Sequence, residues 1–168
     1  RTLFACIYGG GVFKSSDGGE SWQARNAGLK TDQNDHFSDL KRHADGTLLA
    51  LCTAKRRQRE SLAPGGLFRS ADGGQTWTDL TAELKLRHPY GFDVDPDDSR
   101  VIYLGACAVP RHHDEAGLYK TADGGKTWKK LDIPWPPGEV NYYHVQFPSV
   151  DPYDPRRVWV CAGTHGLM

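Results

Sequence analysis

The sequence predicts an all-β fold, a β-propeller of four-stranded antiparallel blades with about three blades present. Three observations predict it. One short phrase occurs three times, as Ser15-Ser16-Asp17-Gly18-Gly19-Glu20-Ser21-Trp22, Ser70-Ala71-Asp72-Gly73-Gly74-Gln75-Thr76-Trp77 and Thr121-Ala122-Asp123-Gly124-Gly125-Lys126-Thr127-Trp128. Its aspartates stand 55 and 51 residues apart, a period that marks propellers and repeat arrays. Each copy follows a short apolar strand: Gly11-Val12-Phe13-Lys14, Gly66-Leu67-Phe68-Arg69 or Gly117-Leu118-Tyr119-Lys120.

Each copy has the form Ser/Thr-x-Asp-x-Gly-x-Ser/Thr-Trp. A short aspartate accepts hydrogen bonds from nearby backbone N–H groups and so builds a turn. Gly19, Gly74 and Gly125 supply positive φ where the chain reverses. Trp22, Trp77 and Trp128 are expected to bury their rings and anchor the following strand. The phrase resembles the Asp-box, or bacterial neuraminidase (BNR) repeat, and with its flanking strands the resemblance covers nearly the whole chain. It implies that the turn joins the third and fourth strands of each blade, on the face away from the binding surface. Asp17, Asp72 and Asp123 are therefore read as turn stabilisers rather than as catalytic acids or calcium ligands, since a catalytic acid has no need to recur in every blade.

The first blade, about residues 1–25, takes its second strand from Thr2–Tyr8, its third from Gly11–Lys14 and its fourth from Trp22–Arg25, with Asn26–Asp35 a polar connection. The second blade, about 36–80, is complete. His36–Arg42 and Thr47–Thr53 flank an Asp45-Gly46 turn, Ala54–Gly65 is a long loop, and Gly66–Arg69 and Trp77–Leu80 finish the sheet. Thr81–Arg87 has room for one short helical turn. The third blade, about 88–131, repeats the plan with Tyr90–Val94, Val101–Cys107, Gly117–Lys120 and Trp128–Leu131. A fourth starts within 144–168 from Val145–Val150 and Val158–Ala162, and the shared Val94-Asp95-Pro96 and Val150-Asp151-Pro152 set its register.

Propellers close with about four to eight blades. The remaining blades are expected from a parent chain or from a homo-oligomer, because Arg1 falls inside a blade and Gly166-Leu167-Met168 resembles the opening of another strand. Lysine and arginine balance aspartate and glutamate at 21 each, with no basic stripe for a nucleic-acid backbone. No apolar run is long enough for a membrane-spanning helix. Cys6, Cys52, Cys107 and Cys161 follow the repeat without a Cys-x-x-Cys pair; they read as reduced thiols packed between blades, with disulfides the alternative in a secreted protein.

Function is expected on the face carrying the long loops, residues 26–35, 54–65, 81–89, 108–116, 132–144 and 162–166. Three histidines obey the repeat there: His36 is seven residues before His43, His88 seven before Asp95 and His144 seven before Asp151. Three imidazoles at a channel mouth could hold a metal or an anion, although spacing alone favours a strand-start histidine bonded to a neighbouring loop. No cofactor is otherwise expected. Further ligand-binding candidates are His165, Arg111, His112, Trp135 and Tyr143, the aromatics as stacking faces for sugar rings. The basic run Lys55–Arg59 could meet a carboxylate or a sulfated sugar, but such runs are mostly solvated.

Asp-box propellers include sortilin-type receptor domains, photosystem assembly factors, sialidases and xyloglucan-cleaving enzymes. The resemblance thus implies a scaffold that binds a glycan or protein, or alternatively a glycoside hydrolase, in a secreted or periplasmic setting. Hydrolysis needs two carboxyl groups flanking the bond. Asp35, Glu60, Asp93, Asp114, Glu115 and Glu139 lie on the loop face, with Asp114 and Glu115 the catalytic candidates beside Tyr90 and Tyr142 as nucleophiles by location. A sialidase would gather three arginines around one carboxylate, yet Arg56, Arg57 and Arg59 crowd one loop and the Phe/Tyr-Arg-Ile-Pro motif is absent.

Overall fold

The computed structural model describes residues 1–57, 60–84, 86–107, 115–133 and 144–162. They fall in two compact units, Arg1–Arg87 and His88–Met168.

In the first unit β1 (Leu3–Ile7), β2 (Gly11–Ser15) and β3 (Gln23–Ala24) form a three-stranded antiparallel sheet in that order. The connection through Leu29, which is buried, leads to β4 (Phe37–Arg42) and β5 (Leu48–Cys52). The segment expected to be a long loop is instead a hairpin, β6 (Lys55–Arg57) and β7 (Glu60–Ala63), pairing Arg56 with Ser61 and Arg57 with Glu60. Both halves can extend because no proline or glycine interrupts 55–63. β8 (Gly66–Ser70) and β9 (Thr78–Asp79) then complete a four-stranded sheet ordered β4-β5-β8-β9, followed by a 3-10 turn at Ala82–Leu84.

The second unit repeats the four-stranded plan with β10 (Pro89–Val94), β11 (Ile102–Ala106), β12 (Gly117–Thr121) and β13 (Lys129–Leu131). β14 (Val145–Val150) and β15 (Val158–Ala162) form a further antiparallel pair. No described helix is long and apolar enough to cross a membrane.

The second strands read Leu-Leu-Ala-Leu-Cys and Ile-Tyr-Leu-Gly-Ala and are buried at every position. A strand covered on both faces has no need of alternation, which explains the continuous apolar runs. Val12, Phe37, Leu48, Ala50, Phe68 and Trp77 make one core in the first unit. Tyr103, Leu118, Ile133, Val145, Val150 and Val160 make another in the second. All four cysteines are free thiols; Cys52 and Cys107 are buried, and burial pushes the Cys52 thiol up to about 12.

The three acidic turns share one hydrogen-bond plan. Ser15, Ser70 and Thr121 are buried, and each hydroxyl donates to the aspartate two residues on while accepting from the second glycine's N–H, at 2.8, 2.8 and 3.0 Å. The aspartate also accepts from the backbone N–H and hydroxyl of Ser21, Thr76 or Thr127. Those hydroxyl donors, aided by the backbone N–H groups, hold all three carboxyls well below the usual carboxylate range. The paired glycines adopt φ of +72° and +83° at Gly73 and Gly74, a region that side chains rarely enter.

The tryptophans depart from the expectation of uniform burial. Trp77 is buried, and its indole donates to the Arg25 carbonyl just after β3. Trp128 is half-buried. Trp22 is 42% exposed, and its indole turns back onto the carbonyl of Gly19 within its own turn.

A second turn family pairs the first and second strands. Asp95 accepts from the N–H groups of Asp97 and Asp98, and Asp151 accepts from those of Tyr153 and Asp154. Arg100 and Arg156 then close each turn on Asp98 and Asp154. This is the shared register expected from the two Val-Asp-Pro triplets.

Candidate functional site

The opening of β4 is fixed by Asn34. This residue is buried; its amide donates to the carbonyls of Thr53 at 2.8 Å and Pro64 at 2.9 Å, and its carbonyl oxygen accepts from the His36 N–H. One side chain thus ties the connection after β3 to the end of β5 and to the chain leaving the β6–β7 hairpin. Asp35 and His36 are held beside it.

His36 forms an antiparallel bridge with Tyr8, and the two rings stack with centroids 4.0 Å apart and planes 26° from parallel. Tyr8 is 64% exposed, so one face of its ring meets solvent while His36 backs the other. Nδ1 of His36 is buried without a hydrogen-bond partner, and Nε2 lies 3.8 Å from Asp35. Asp35 is 3.2 Å from the ammonium of Lys55, whose hydrogen bond holds its carboxyl below the ordinary range. The result is a flat aromatic face with an ionised carboxylate and an ammonium at its edge.

In the second unit His88, Tyr90 and Phe147 form a ladder of edge-to-face rings. The centroids are 5.3 Å apart for His88 and Tyr90 and 5.5 Å apart for Tyr90 and Phe147. Phe147 is 58% exposed and holds φ at +45°, a costly conformation for a side chain of this size. It lies in a bulge of β14, where Phe147 and Pro148 face a single residue of β15. The strand comes close enough to β10 that a β-carbon on Gly91 would meet the Phe147 nitrogen at 2.6 Å.

The bulge recurs. Ser38 is the extra residue of β4 and Tyr90 the extra residue of β10, each two positions after a strand-start histidine. Bulges re-aim side chains, and they gather next to functional sites. His144 fits the series by bridging Cys107, while Cys107 donates to the His88 carbonyl at 3.0 Å. The plainer reading of the three histidines, a strand-start residue joined to a neighbouring segment, describes these backbone contacts. Among the described residues no group of three or more His, Cys, Asp or Glu side chains could hold a metal.

The carboxylates divide. Asp93 accepts from the N–H groups of Val94 and Val150 and staples β10 to β14. Asp35 is kept ionised by Lys55, which suits it to accept hydrogen bonds rather than to donate a proton. The Glu115 carbonyl accepts from the Tyr119 hydroxyl. Arg111, His112, Asp114, Trp135, Glu139, Tyr142, Tyr143 and His165 lie outside the described residues. Tyr8 and Phe147 were not among the sequence candidates. The signal for Tyr8 was its place before Gly9-Gly10 at a strand end; nothing in the sequence marks Phe147 beyond the proline that follows it.

No protein-family model matches the chain. It is 34% identical over 85 residues to a probable oligoxyloglucan-reducing end-specific xyloglucanase of Neosartorya fischeri, covering 46% of this chain and 10% of that protein. It is 28% identical over 119 residues to the photosystem II assembly lipoprotein Ycf48 of Synechococcus sp., covering 70% of this chain and 30% of that protein. The GH74 xyloglucanase of Xanthomonas campestris superposes on 99% of this chain and 25% of its own, with a TM-score of 0.70 at 17% identity. The chain therefore has a β-propeller fold, built from antiparallel four-stranded sheets, and spans under a third of the length of the curated relatives it matches.

Proposed function

We propose that this chain is part of an Asp-box propeller that binds a glycan through exposed aromatic rings on its long-loop side. The observation that carries the reading is the Tyr8–His36 stack, with its open aromatic face and the Asp35–Lys55 pair beside it. Sugar rings offer C–H faces to such a platform and hydroxyls to the groups at its edge. The ladder ending at Phe147 is a second station of the same chemistry in the other unit. His88, His144, Arg111, His112, Trp135, Tyr143 and His165 are further proposed ligand contacts within the second unit. The resemblance and the lipoprotein relative support a setting outside the cytoplasm.

A second reading, hydrolysis of a glycosidic bond, is favoured by the xyloglucanase relatives. It requires a flanking carboxyl pair. Asp35 is paired with Lys55 and Asp93 is engaged by the N–H groups of Val94 and Val150, so the pair would come from Asp114 with Glu115, or a tyrosine nucleophile from Tyr90 or Tyr142.

The test is affinity electrophoresis in gels containing tamarind xyloglucan, with an unrelated soluble polysaccharide as control, alongside reducing-end release. Retardation by xyloglucan that falls at least tenfold in Tyr8→Ala, without product release, is the expected result. Retardation unchanged in both Tyr8→Ala and Phe147→Ala would remove the aromatic-platform reading. Product release abolished by Asp114→Asn or Glu115→Gln would replace it with the hydrolase.

A further inference from the structure

The first unit carries a concavity far from Tyr8 and His36. It is a groove of about 520 Å³ lined by Phe4, Lys14, Arg42, Asp45, Leu48 and Gly73 among others. β4 runs from beside His36 at one end to Arg42 at the other. Six residues of extended chain separate the two by about 20 Å. The groove therefore lies among the Asp45-Gly46 turn and the second acidic turn, on the side that the propeller plan leaves without a role.

Its charge is unbalanced. Among the described residues neither Lys14 nor Arg42 pairs with a carboxylate. The one acid in the lining, Asp45, accepts from the Thr47 N–H at 2.8 Å, while its own N–H donates to Nδ1 of His43 at 3.2 Å. Lys14 holds its ammonium 5.5 Å from the centre of the Phe4 ring and 3.9 Å from where a β-carbon on Gly73 would sit, so the charge is placed at the groove wall. Phe4, only partly buried against the core, supplies an apolar floor, with the buried Leu48 behind it. The volume lies within the range of small-molecule sites, and a guanidinium fork matches the two oxygens of a carboxylate.

We propose that this groove binds a small carboxylate carried on a six-membered ring, with Arg42 and Lys14 holding the carboxylate and Phe4 packing against the ring. An acidic sugar and an aromatic acid share this chemistry, and the experiment separates them.

Chemical-shift titration with sodium glucuronate and sodium benzoate, against glucose and benzyl alcohol as neutral counterparts, tests the site. Either acid is expected to bind at least tenfold tighter than its neutral counterpart, with shifts in the amides of residues 2–4, 14, 42–48 and 71–74. Whichever acid binds more tightly names the ring. Lys14→Gln or Arg42→Gln should weaken binding at least fivefold and the double variant should abolish it. All three replace solvent-accessible charges, and thermal melting checks that they stay folded. Tyr8→Ala should leave this binding unchanged, which keeps the outcome separate from that of the aromatic platform. Acids binding no better than the neutral compounds, affinity unchanged in the double variant, or inorganic phosphate binding as tightly as both acids would each overturn the proposal.

Discussion

The indole nitrogen of Trp77 donates to the carbonyl oxygen of Arg25 at 2.8 Å, across 52 positions of sequence. The backbone N–H of the same tryptophan donates to Ala27 at 2.9 Å. The last residue of the second acidic turn is thus fastened to the chain leaving the first sheet. Trp77→Ala removes the ring and this tie together and is expected to cost about 3–5 kcal/mol, the usual range for emptying a buried tryptophan site. Trp22→Ala, where the residue is 42% exposed and its indole bonds only within its own turn, should stay within about 1 kcal/mol. Urea denaturation of the two variants checks the contrast; equal losses would mean that the tie is not what makes Trp77 matter.

Acid stability should follow the three turn aspartates. Their carboxyls are depressed in the folded chain by the hydroxyls of Ser21, Thr76 and Thr127, whereas in the unfolded chain they titrate near about 3.9. A depressed folded value contributes stability that is fully present above the unfolded pKa and is lost as pH falls toward the folded one. The melting temperature is therefore expected to be insensitive to these groups above about pH 5 and to fall below about pH 4. Asp72→Asn should lower the melting temperature at pH 7 and flatten the acid limb. An unchanged acid limb in a triple Asp→Asn variant would contradict this account.

Asn34→Ala should cost about 1–3 kcal/mol, because it leaves the carbonyls of Thr53 and Pro64 without their buried donor. Hydrogen exchange is the sharper readout. Amides in residues 34–37 and 53–57 should lose protection together, while those of β8 keep theirs.

Phe147 separates stability from recognition. Its φ of +45° is strained for phenylalanine and easy for glycine. Phe147→Gly is expected to melt no lower than the parent while losing glycan retardation. Phe147→Ala keeps the strain, loses the ring and should melt below Phe147→Gly. A glycine variant that binds as the parent does would remove this residue from the site.

The sheets were legible because their information is local and repeated. The triplicate turn carries its own hydrogen-bond plan, so Ser70, Asp72, Gly74 and Thr76 announce a hairpin without reference to anything distant. The short turn at Ala82–Leu84 was legible for a similar reason. What escaped the sequence depends on partners elsewhere. Trp22 and Trp77 end two copies of one phrase, yet of the two only Trp77 reaches a carbonyl outside its own turn. The β6–β7 hairpin looked like a loop because its charged residues carry no alternation of apolar side chains. The bulges at Ser38, Tyr90 and Phe147 are differences of register between paired strands, and one strand's sequence does not hold a register. Histidine spacing pointed to strand starts; the exposed rings beside them needed three dimensions.

The extra residue in β4, β10 and β14 has a consequence for how such chains could diversify. Serine and tyrosine occupy corresponding places two residues after His36 and His88, phenylalanine lies one position further on after His144, and the ladders on either side close around all three. A residue outside the ladder can be exchanged without renegotiating the pairing around it. Each sheet then offers one variable letter on a constant frame, and a new specificity could be spelled by point substitutions at 38, 90 and 147 with the rest of the chain left as it is.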